Sequence, residues 1–276
     1  MNKNDREIRF ELLRPGQLIQ ERERCPLIFV PIAPLEYHGP HLPVGMDPIN
    51  ATFSALETCR RLGKGVVYPT IHCGTERERP AWMLESLGFK ATDWVVGMDF
   101  PTALWKSHYS KEHLFGLILA NEIQFLVDHD YKVIVIVNGH GAVNHQETID
   151  RIAKDFSHTT DTLVVWNLTI PDEVLKDGLA GHADIYETSM MLYYQKLFGS
   201  DSIVDFSAIP DKSVPIHYPD FSIVDGAGFS KEPDPEKIVR TDPRNANEAL
   251  GKELHEKIVG DFLNLTKAAL KKKGFL

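Results

Sequence analysis

The chain has 276 residues, 43% hydrophobic and 25% charged, which is the composition of an ordinary globular protein. Its formal net charge of −9 argues against a nucleic-acid or anionic-membrane partner, because both require a basic surface. Its cysteines are widely spaced, its N-terminus lacks the apolar core of a signal peptide, and no apolar run reaches the ~20 residues that span a bilayer. We therefore expect a cytoplasmic protein.

Apolar runs and helical patterns alternate along the chain, which predicts an α/β fold. The predicted strands are Leu27–Ile32, Val66–Tyr68, Lys132–Val137 and Leu163–Trp166. The predicted helices run from Asp47 to near Gly63, Lys111 to Asp128, Asn144 to Phe156, Ala183 to Phe198, and beyond a loop region at about 207–243. The β-branched third strand predicts a parallel sheet covered by helices on both faces. Ligands bind at the carboxyl ends of such strands, and the irregular segment 71–107 is long enough to shape a binding site there.

The segment after the first strand carries the most informative side chains. Glu36 and His38 lie two residues apart, so an extended backbone directs both to the same side. Asp47 falls at the predicted N-cap of the next helix, where backbone N–H groups stabilise a carboxylate. Capping alone explains an isolated Asp-Pro, but beside Glu36 and His38 a metal ligand is the better interpretation. Carboxylates and imidazoles without a thiolate suit Zn²⁺, Mn²⁺ or Fe²⁺.

Two later histidines also follow predicted elements. His140 lies between two glycines directly after the third strand, and by itself could be a structural turn residue. His182 precedes a helix that carries Glu187, which we expect to face the interior, where a buried glutamate needs a partner. Asp184 is predicted to lie in the first turn of the same helix, where its carboxylate interacts favourably with the helix dipole.

Three motifs containing these residues occur in a fixed order. They are Glu-x-His-Gly-x-His-Leu-Pro-x-x-x-Asp from Glu36, Asn-Gly-His-Gly from Asn138, and His-Ala-x-x-x-Glu-Thr-Ser from His182. Together they resemble the creatininase (creatinine amidohydrolase) family. The resemblance implies one domain over residues 1–276, a three-layer α/β/α sandwich with a mainly parallel sheet. It also implies assembly as a homohexamer and two divalent metal ions per subunit, zinc or manganese, with iron possible.

The resemblance further implies a role for each matching residue. The implied ligands of one metal are Glu36, Asp47 and His140, and those of the other are His38, the bridging Asp47 and a glutamate. The founding enzyme places this glutamate two residues after the His of Asn-Gly-His, where this chain has Ala142. Glu187 is the candidate in its place. His182 matches the family's catalytic histidine near the leaving group.

These roles define a chemical hypothesis. Two metals that share Asp47 would lower the pKa of a bridging water and polarise a substrate carbonyl. His182 could then transfer a proton to the leaving atom, because an imidazole titrates near neutral pH. We therefore predict a metal-dependent hydrolase of a small, cyclic substrate, with amide C–N hydrolysis as the first hypothesis.

The residues that would contact this substrate are less defined. His41 is predicted to contact substrate or to support the ligands. Arg77 and Arg79 could bind an anionic or polyhydroxylated substrate, or form a solvated charge run with neighbouring glutamates. Trp105 could wall a pocket or form a subunit contact. Residues 174–180 contain no tryptophan, although creatinine hydrolases carry a tryptophan gate there, so creatininase activity itself is not expected.

Three alternatives remain open. A hydrolase that opens the ring of an oxidised inositol by C–C cleavage would fit the absent tryptophan and the arginine-rich loop. A non-catalytic metal-binding or assembly protein would keep the ligands but lack a proton shuttle, and His182 argues against it. Histidines that merely satisfy polar turns would bind no metal.

Overall fold

The computed structural model describes residues 6–176, 181–213 and 240–276. Its strands are β1 (Leu27–Ile32), β2 (Val66–Val67), β3 (Val133–Asn138) and β4 (Leu163–Leu168). Its α-helices are α1 (Pro15–Arg24), α2 (Met46–Leu62), α3 (Ala81–Ser86), α4 (Glu112–Asp128), α5 (Val143–Thr159), α6 (Asp172–Lys176), α7 (Ile185–Leu197) and α8 (Glu248–Lys272). Short 3₁₀ helices span Phe10–Leu12, Phe206–Ala208 and Pro243–Asn245. None of these helices is long and apolar enough to cross a membrane.

The strands form one parallel sheet in the order β2-β1-β3-β4. The register pairs Ile32 at the end of β1 with Asn138 at the end of β3. Asn138 in turn pairs with Leu168 at the end of β4. The three strands therefore end level with one another, and the segments that follow them meet at one edge of the sheet. The predicted parallel sheet is confirmed.

The two faces of the sheet are covered by different helices. Phe29 of β1 and Val135 of β3 belong to a cluster with apolar side chains of α2, α7 and α8. Their neighbours Ile28 and Ile134 point to the other face, toward α4 and α5. Alternate side chains of a strand face opposite sides, so the central strands are buried on both. The predicted three-layer α/β/α sandwich is confirmed.

Three α-helices of the described residues, α1, α3 and α6, have no counterpart in the sequence-based prediction. α1 was not expected: it contains no buried residue, and Leu18 and Ile19 are its only aliphatic apolar side chains, too few to indicate a helix. α3 lies within the segment predicted to be irregular. It has six residues and contributes to a small separate cluster of Leu84, Leu87, Val95, Met98 and Phe100. Much of the predicted loop at 207–243 lies outside the described residues.

Candidate metal centre

The β1 and β3 ends bring the first two motifs together. The amide of Gly139 donates to the carbonyl of Ile32 at 3.0 Å, which extends the pairing of the strands by one residue. A Cβ at Gly139 would lie 2.3 Å from the backbone oxygen of Asp47. Only a glycine therefore lets the start of α2 approach the end of β3 this closely. The approach places Asp47 beside His140.

Asp47 lies between two imidazoles. The prediction that it is the N-cap of α2 is wrong: the N-cap is Gly45, and Asp47 lies within the first turn. Its Oδ1 is 3.1 Å from Nε2 of His38, and its Oδ2 is 3.2 Å from Nδ1 of His140. Each carboxylate oxygen thus faces a different histidine, which is the arrangement expected of a bridging ligand.

Glu36 is buried beside the same histidines, with 3% of its surface exposed. Its Oε2 lies 3.0 Å from Nδ1 of His140 and 3.9 Å from Nε2 of His38. Its other oxygen, Oε1, accepts a hydrogen bond from the hydroxyl of Tyr109. The two oxygens therefore have separate partners, one in the cluster and one outside it.

The tautomer of His38 leaves a nitrogen without a hydrogen bond. Its Nδ1 lies 3.0 Å from the backbone carbonyl of Glu36, to which it donates. Its Nε2 is buried and makes no hydrogen bond within the described residues. The oxygens nearest to it belong to carboxylates, Asp47 at 3.1 Å and Glu187 at 3.8 Å. A nitrogen lone pair that faces carboxylate oxygens is repelled unless a proton or a metal ion lies between them, so this arrangement fits a divalent metal that replaces the proton.

The start of α7 aims Glu187 at this position. Asp184 is the N-cap of α7 and accepts hydrogen bonds from the amides of Tyr186 and Glu187 at 2.9 and 3.1 Å. The sequence analysis had predicted it within the first turn of the helix. Ala183 has a φ of +54°, a conformation unusual for a residue with a Cβ. Its amide donates to Oε2 of Glu187. Glu187 therefore keeps Oε1 for the cluster around His38.

His182 lies over the cluster and lines its cavity. Its Nε2 donates to the backbone carbonyl of Tyr37 at 2.7 Å, so the neutral ring carries its lone pair on Nδ1. The ring stands 4.2 Å from that of His38, measured between centroids. Burial and the nearby His38 lower the pKa of His182 to about 4. The ring is therefore neutral, with its unprotonated Nδ1 as the basic atom.

Charges within the cluster balance one another. Burial opposes a charge on His38, but Asp47 and Glu187 outweigh it and raise its pKa to about 10. In the same way, Glu36 and Asp47 overcome burial and raise the pKa of His140 well above its ordinary value. Despite burial, the surrounding imidazoles hold the pKa of Glu36 well below its ordinary range, whereas burial raises that of Glu187. The carboxylates thus demand positive charge, which protons or divalent cations can supply.

Two sets of side chains in the described residues could each hold a metal ion and share one member. They are Glu36, Asp47 and His140, and His38, Asp47 and Glu187. In each set the potential ligand atoms lie within 4.8 Å of one another, as they do in an overlapping set of Glu36, His38 and His182. The structure therefore brings together all five residues that the sequence suggested as ligands.

A cavity of about 520 Å³ opens onto the cluster. Leu168, Ile170 and Leu175 contribute apolar surface to it, and Arg77 and Arg79 contribute charge. Arg77 is paired with Glu147 at 2.7 Å. Arg79 donates to the carbonyl of Gly97 at 2.8 Å and is paired with Glu76 at 3.2 Å. Both arginines thus lie at the cavity while their charges are matched by glutamates.

The two other suggested substrate residues do not line this cavity. His41 is buried, and its Nε2 lies 3.0 Å from the hydroxyl of Thr188 in α7. Trp105 is 68% exposed on the surface. Contact of His41 or Trp105 with substrate stays a prediction.

Two residues at the site were missed by the sequence analysis. Tyr109 bonds to Glu36 from 73 positions away, so no local pattern identifies it. His145 donates from Nε2 to Oδ1 of Asn138 at 3.0 Å, and the same oxygen accepts the amide of His140 at 2.9 Å. His145 follows the Asn-Gly-His motif within five residues, which was the available signal.

The fold and the cluster together define an α/β protein with a candidate dinuclear metal centre at the carboxyl edge of a parallel sheet. The family model for creatininase (creatinine amidohydrolase) matches residues 15–266, so the chain belongs to the creatininase family. Membership implies a metal-dependent amidohydrolase.

Solved creatininase structures share the fold. A manganese form is 18% identical, with a TM-score of 0.66 and coverage of 95% of this chain and 98% of that one. A mutant of Zn-Zn type is 17% identical, with a TM-score of 0.65 and coverage of 96% and 98%. A mutant complexed with creatine is 18% identical, with a TM-score of 0.64 and coverage of 95% and 98%. A search of curated proteins finds no significant match.

Proposed function

We propose that this chain is a divalent-metal-dependent hydrolase that acts on a carbonyl of a small, cyclic substrate, with amide C–N hydrolysis as the first choice. The observation that carries the proposal is the position of Asp47 between the two ligand sets, with one oxygen toward His38 and the other toward His140. Family membership supports the same chemistry.

The donor set fits two metal ions. Glu36, Asp47 and His140 would hold one, and His38, Asp47 and Glu187 the other. All the donor atoms are carboxylate oxygens or imidazole nitrogens, which suit zinc, manganese or iron. Such a pair supplies an activated water and a polarised substrate carbonyl. The related solved structures include a manganese form and a mutant of Zn-Zn type, and we expect one or both metals here.

His182 is the proposed proton carrier. Its Nε2–H is engaged by the carbonyl of Tyr37, so its Nδ1 is the basic atom. Because His182 lines the cavity, Nδ1 can take a proton there and deliver it to the leaving nitrogen as the amide bond breaks. Tyr37 thus fixes the tautomer on which this transfer depends.

A second reaction is favoured by the cavity wall. No tryptophan of the described residues lines the cavity, whereas Arg77 and Arg79 do. Guanidinium groups paired with carboxylates offer both donors and acceptors, which suits a polyhydroxylated ring. Hydrolytic C–C cleavage of an oxidised inositol would use the same metals and the same proton carrier.

A hydrolysis screen of the metal-loaded protein distinguishes these reactions. Lactams, N-formyl compounds, short peptides and oxidised inositols would be compared, with products identified by mass spectrometry. Cleavage of a C–N bond supports the first choice, and addition of water with C–C cleavage supports the second. Turnover of none of these carbonyl compounds would favour a non-catalytic metal-binding protein.

Two variants test the roles within the site. His182→Ala should retain its metal but lose turnover, because His182 belongs to neither of the two ligand sets proposed here. Glu36→Ala should lose bound metal, and unchanged metal content would contradict the centre itself.

Trp105, exposed on the surface, is a candidate subunit contact, and we further propose one metallohydrolase domain assembled as a homohexamer. Light scattering coupled to gel filtration measures the mass of the assembly and so tests the hexamer.

A further inference from the structure

Segment 107–110 connects the cavity wall to the loop that carries Glu36. The amide of Tyr37 donates to the hydroxyl of Ser107 at 3.0 Å. The amide of His108 donates to the carbonyl of Leu35 at 2.7 Å. Tyr109, the next residue, bonds to Glu36 through its side chain. This segment therefore runs along residues 35–37 through both backbone and side-chain contacts.

The hydroxyl of Tyr109 is held from its other side as well. The amide of Met98 donates to it at 3.3 Å, so the phenol oxygen accepts one hydrogen bond while its proton is given to Glu36. A Cβ at Gly97 would lie 2.5 Å from the same oxygen, which shows how closely the backbone surrounds it. The carbonyl of Gly97 in turn accepts from Arg79 of the cavity wall.

This arrangement separates the two oxygens of Glu36. Oε1 is engaged by Tyr109, and Oε2 lies 3.0 Å from Nδ1 of His140. A carboxylate bound in this way by a phenol cannot rotate freely to present both oxygens to a metal. We propose, on the basis of the metal centre proposed above, that Tyr109 is a positioning residue: it fixes Glu36 so that Oε2 faces the metal shared with Asp47 and His140.

A matched control is available in Tyr68. Its hydroxyl also donates to a glutamate, Glu122, at 2.7 Å. Tyr68 packs against Phe10 and Phe125, outside the cluster and its cavity. Tyr68→Phe therefore removes the same kind of hydrogen bond as Tyr109→Phe without touching the proposed centre.

Titration of the metal-free protein with Co²⁺, followed by visible absorption and calorimetry, tests the proposal. We expect two binding steps in the unaltered chain. Tyr109→Phe should weaken one of them by about 10–100-fold and change its spectrum. Removing a hydrogen-bond partner of a metal ligand typically lowers metal affinity by this factor. The other step should be unchanged, and Tyr68→Phe should leave both unchanged. Thermal unfolding of each metal-free variant shows whether it is folded.

A second variant covers failure of the first to fold. Gly97→Ala would press on the hydroxyl of Tyr109 and on Cγ of Glu76, each 2.5 Å from the new Cβ, at a φ of +54°. It should weaken the same binding step and lower stability as well, and thermal unfolding of the metal-free variant measures the second effect separately. Equal binding by Tyr109→Phe and the unaltered chain would overturn the role of Tyr109 and leave the metal centre intact. Equal weakening in Tyr68→Phe would also overturn it, since loss of any tyrosine–glutamate bond would then suffice. Absence of Co²⁺ binding in the unaltered chain would overturn both proposals.

Discussion

Replacing Gly139 with alanine should destabilise the fold and loosen the metal centre together. The added Cβ would lie 2.3 Å from the backbone oxygen of Asp47, whereas such atoms do not approach within 3.0 Å. β3 cannot retreat without losing the bond from Gly139 to Ile32, so α2 must move by about 0.7 Å. That shift exceeds the ~0.2 Å tolerance of ligand distances at a metal.

The expected magnitudes follow from this clash. Overpacking against rigid backbone costs about 1–3 kcal/mol of unfolding free energy. At this chain length each kcal/mol lowers the melting temperature by about 2–4 °C. Metal affinity should fall on the order of 10–100-fold, since Asp47 would be displaced from both histidines. Thermal unfolding of the metal-free protein and metal titration measure the two effects separately.

Gly141, on the other side of His140, supplies the control. A Cβ at Gly141 would meet nothing within 4 Å, so Gly141→Ala should change neither stability nor metal affinity. If Gly139→Ala matched Gly141→Ala in both measurements, the close approach of α2 to β3 would not be what positions Asp47, and the reasoning would be refuted.

Three further predictions concern charge. Metal loading at neutral pH should release protons, because the metal must displace them from His38 and His140, whose pKa values are raised, and from Glu187, whose pKa burial raises. Calorimetry in buffers of different ionisation enthalpy measures this release, and its absence would contradict the assignment. Glu187→Ala should lower bound metal from about two ions to one, and Ala142→Glu in that background should restore it, as metal analysis would show. Burial lowers the pKa of His255, which lies near the charged groups of Glu57, Glu256 and Arg61. As the pH falls below ~6.5, the unfolded chain therefore binds a proton at this residue before the folded chain does. The free energy of unfolding should then decrease by up to ~1.4 kcal/mol for each pH unit. His255→Asn should flatten the slope of unfolding free energy against pH, and an unchanged slope would exclude this origin.

Much of the fold could be predicted because its signals are local. The β-branched run of β3 indicated a strand buried on both faces, and the structure confirms it in a parallel sheet. Glu36, His38 and His140 could be suggested because they directly follow predicted strands. Polar residues at the carboxyl ends of parallel strands are brought to the same edge by the sheet itself.

Other features depended on contacts between distant segments. α1 was missed because it has no buried face, and Asp47 was misplaced at the N-cap because the turn at Gly45 carries no capping side chain. Tyr109 and His145 were missed because their roles rest on hydrogen bonds to other elements, which periodicity does not encode.

The sequence by itself determined the chemistry of the site: carboxylates and imidazoles, without thiolates, placed after apolar strands. Only the tertiary structure decided which atoms meet. Glu187 faces His38 because the turn at Ala183 directs it there, and Asp47 lies between two histidines because Gly139 has no Cβ. The local sequence identifies the side chains that can act as ligands. The distances of a few ångströms between them are set by the packing of segments that are distant in the sequence.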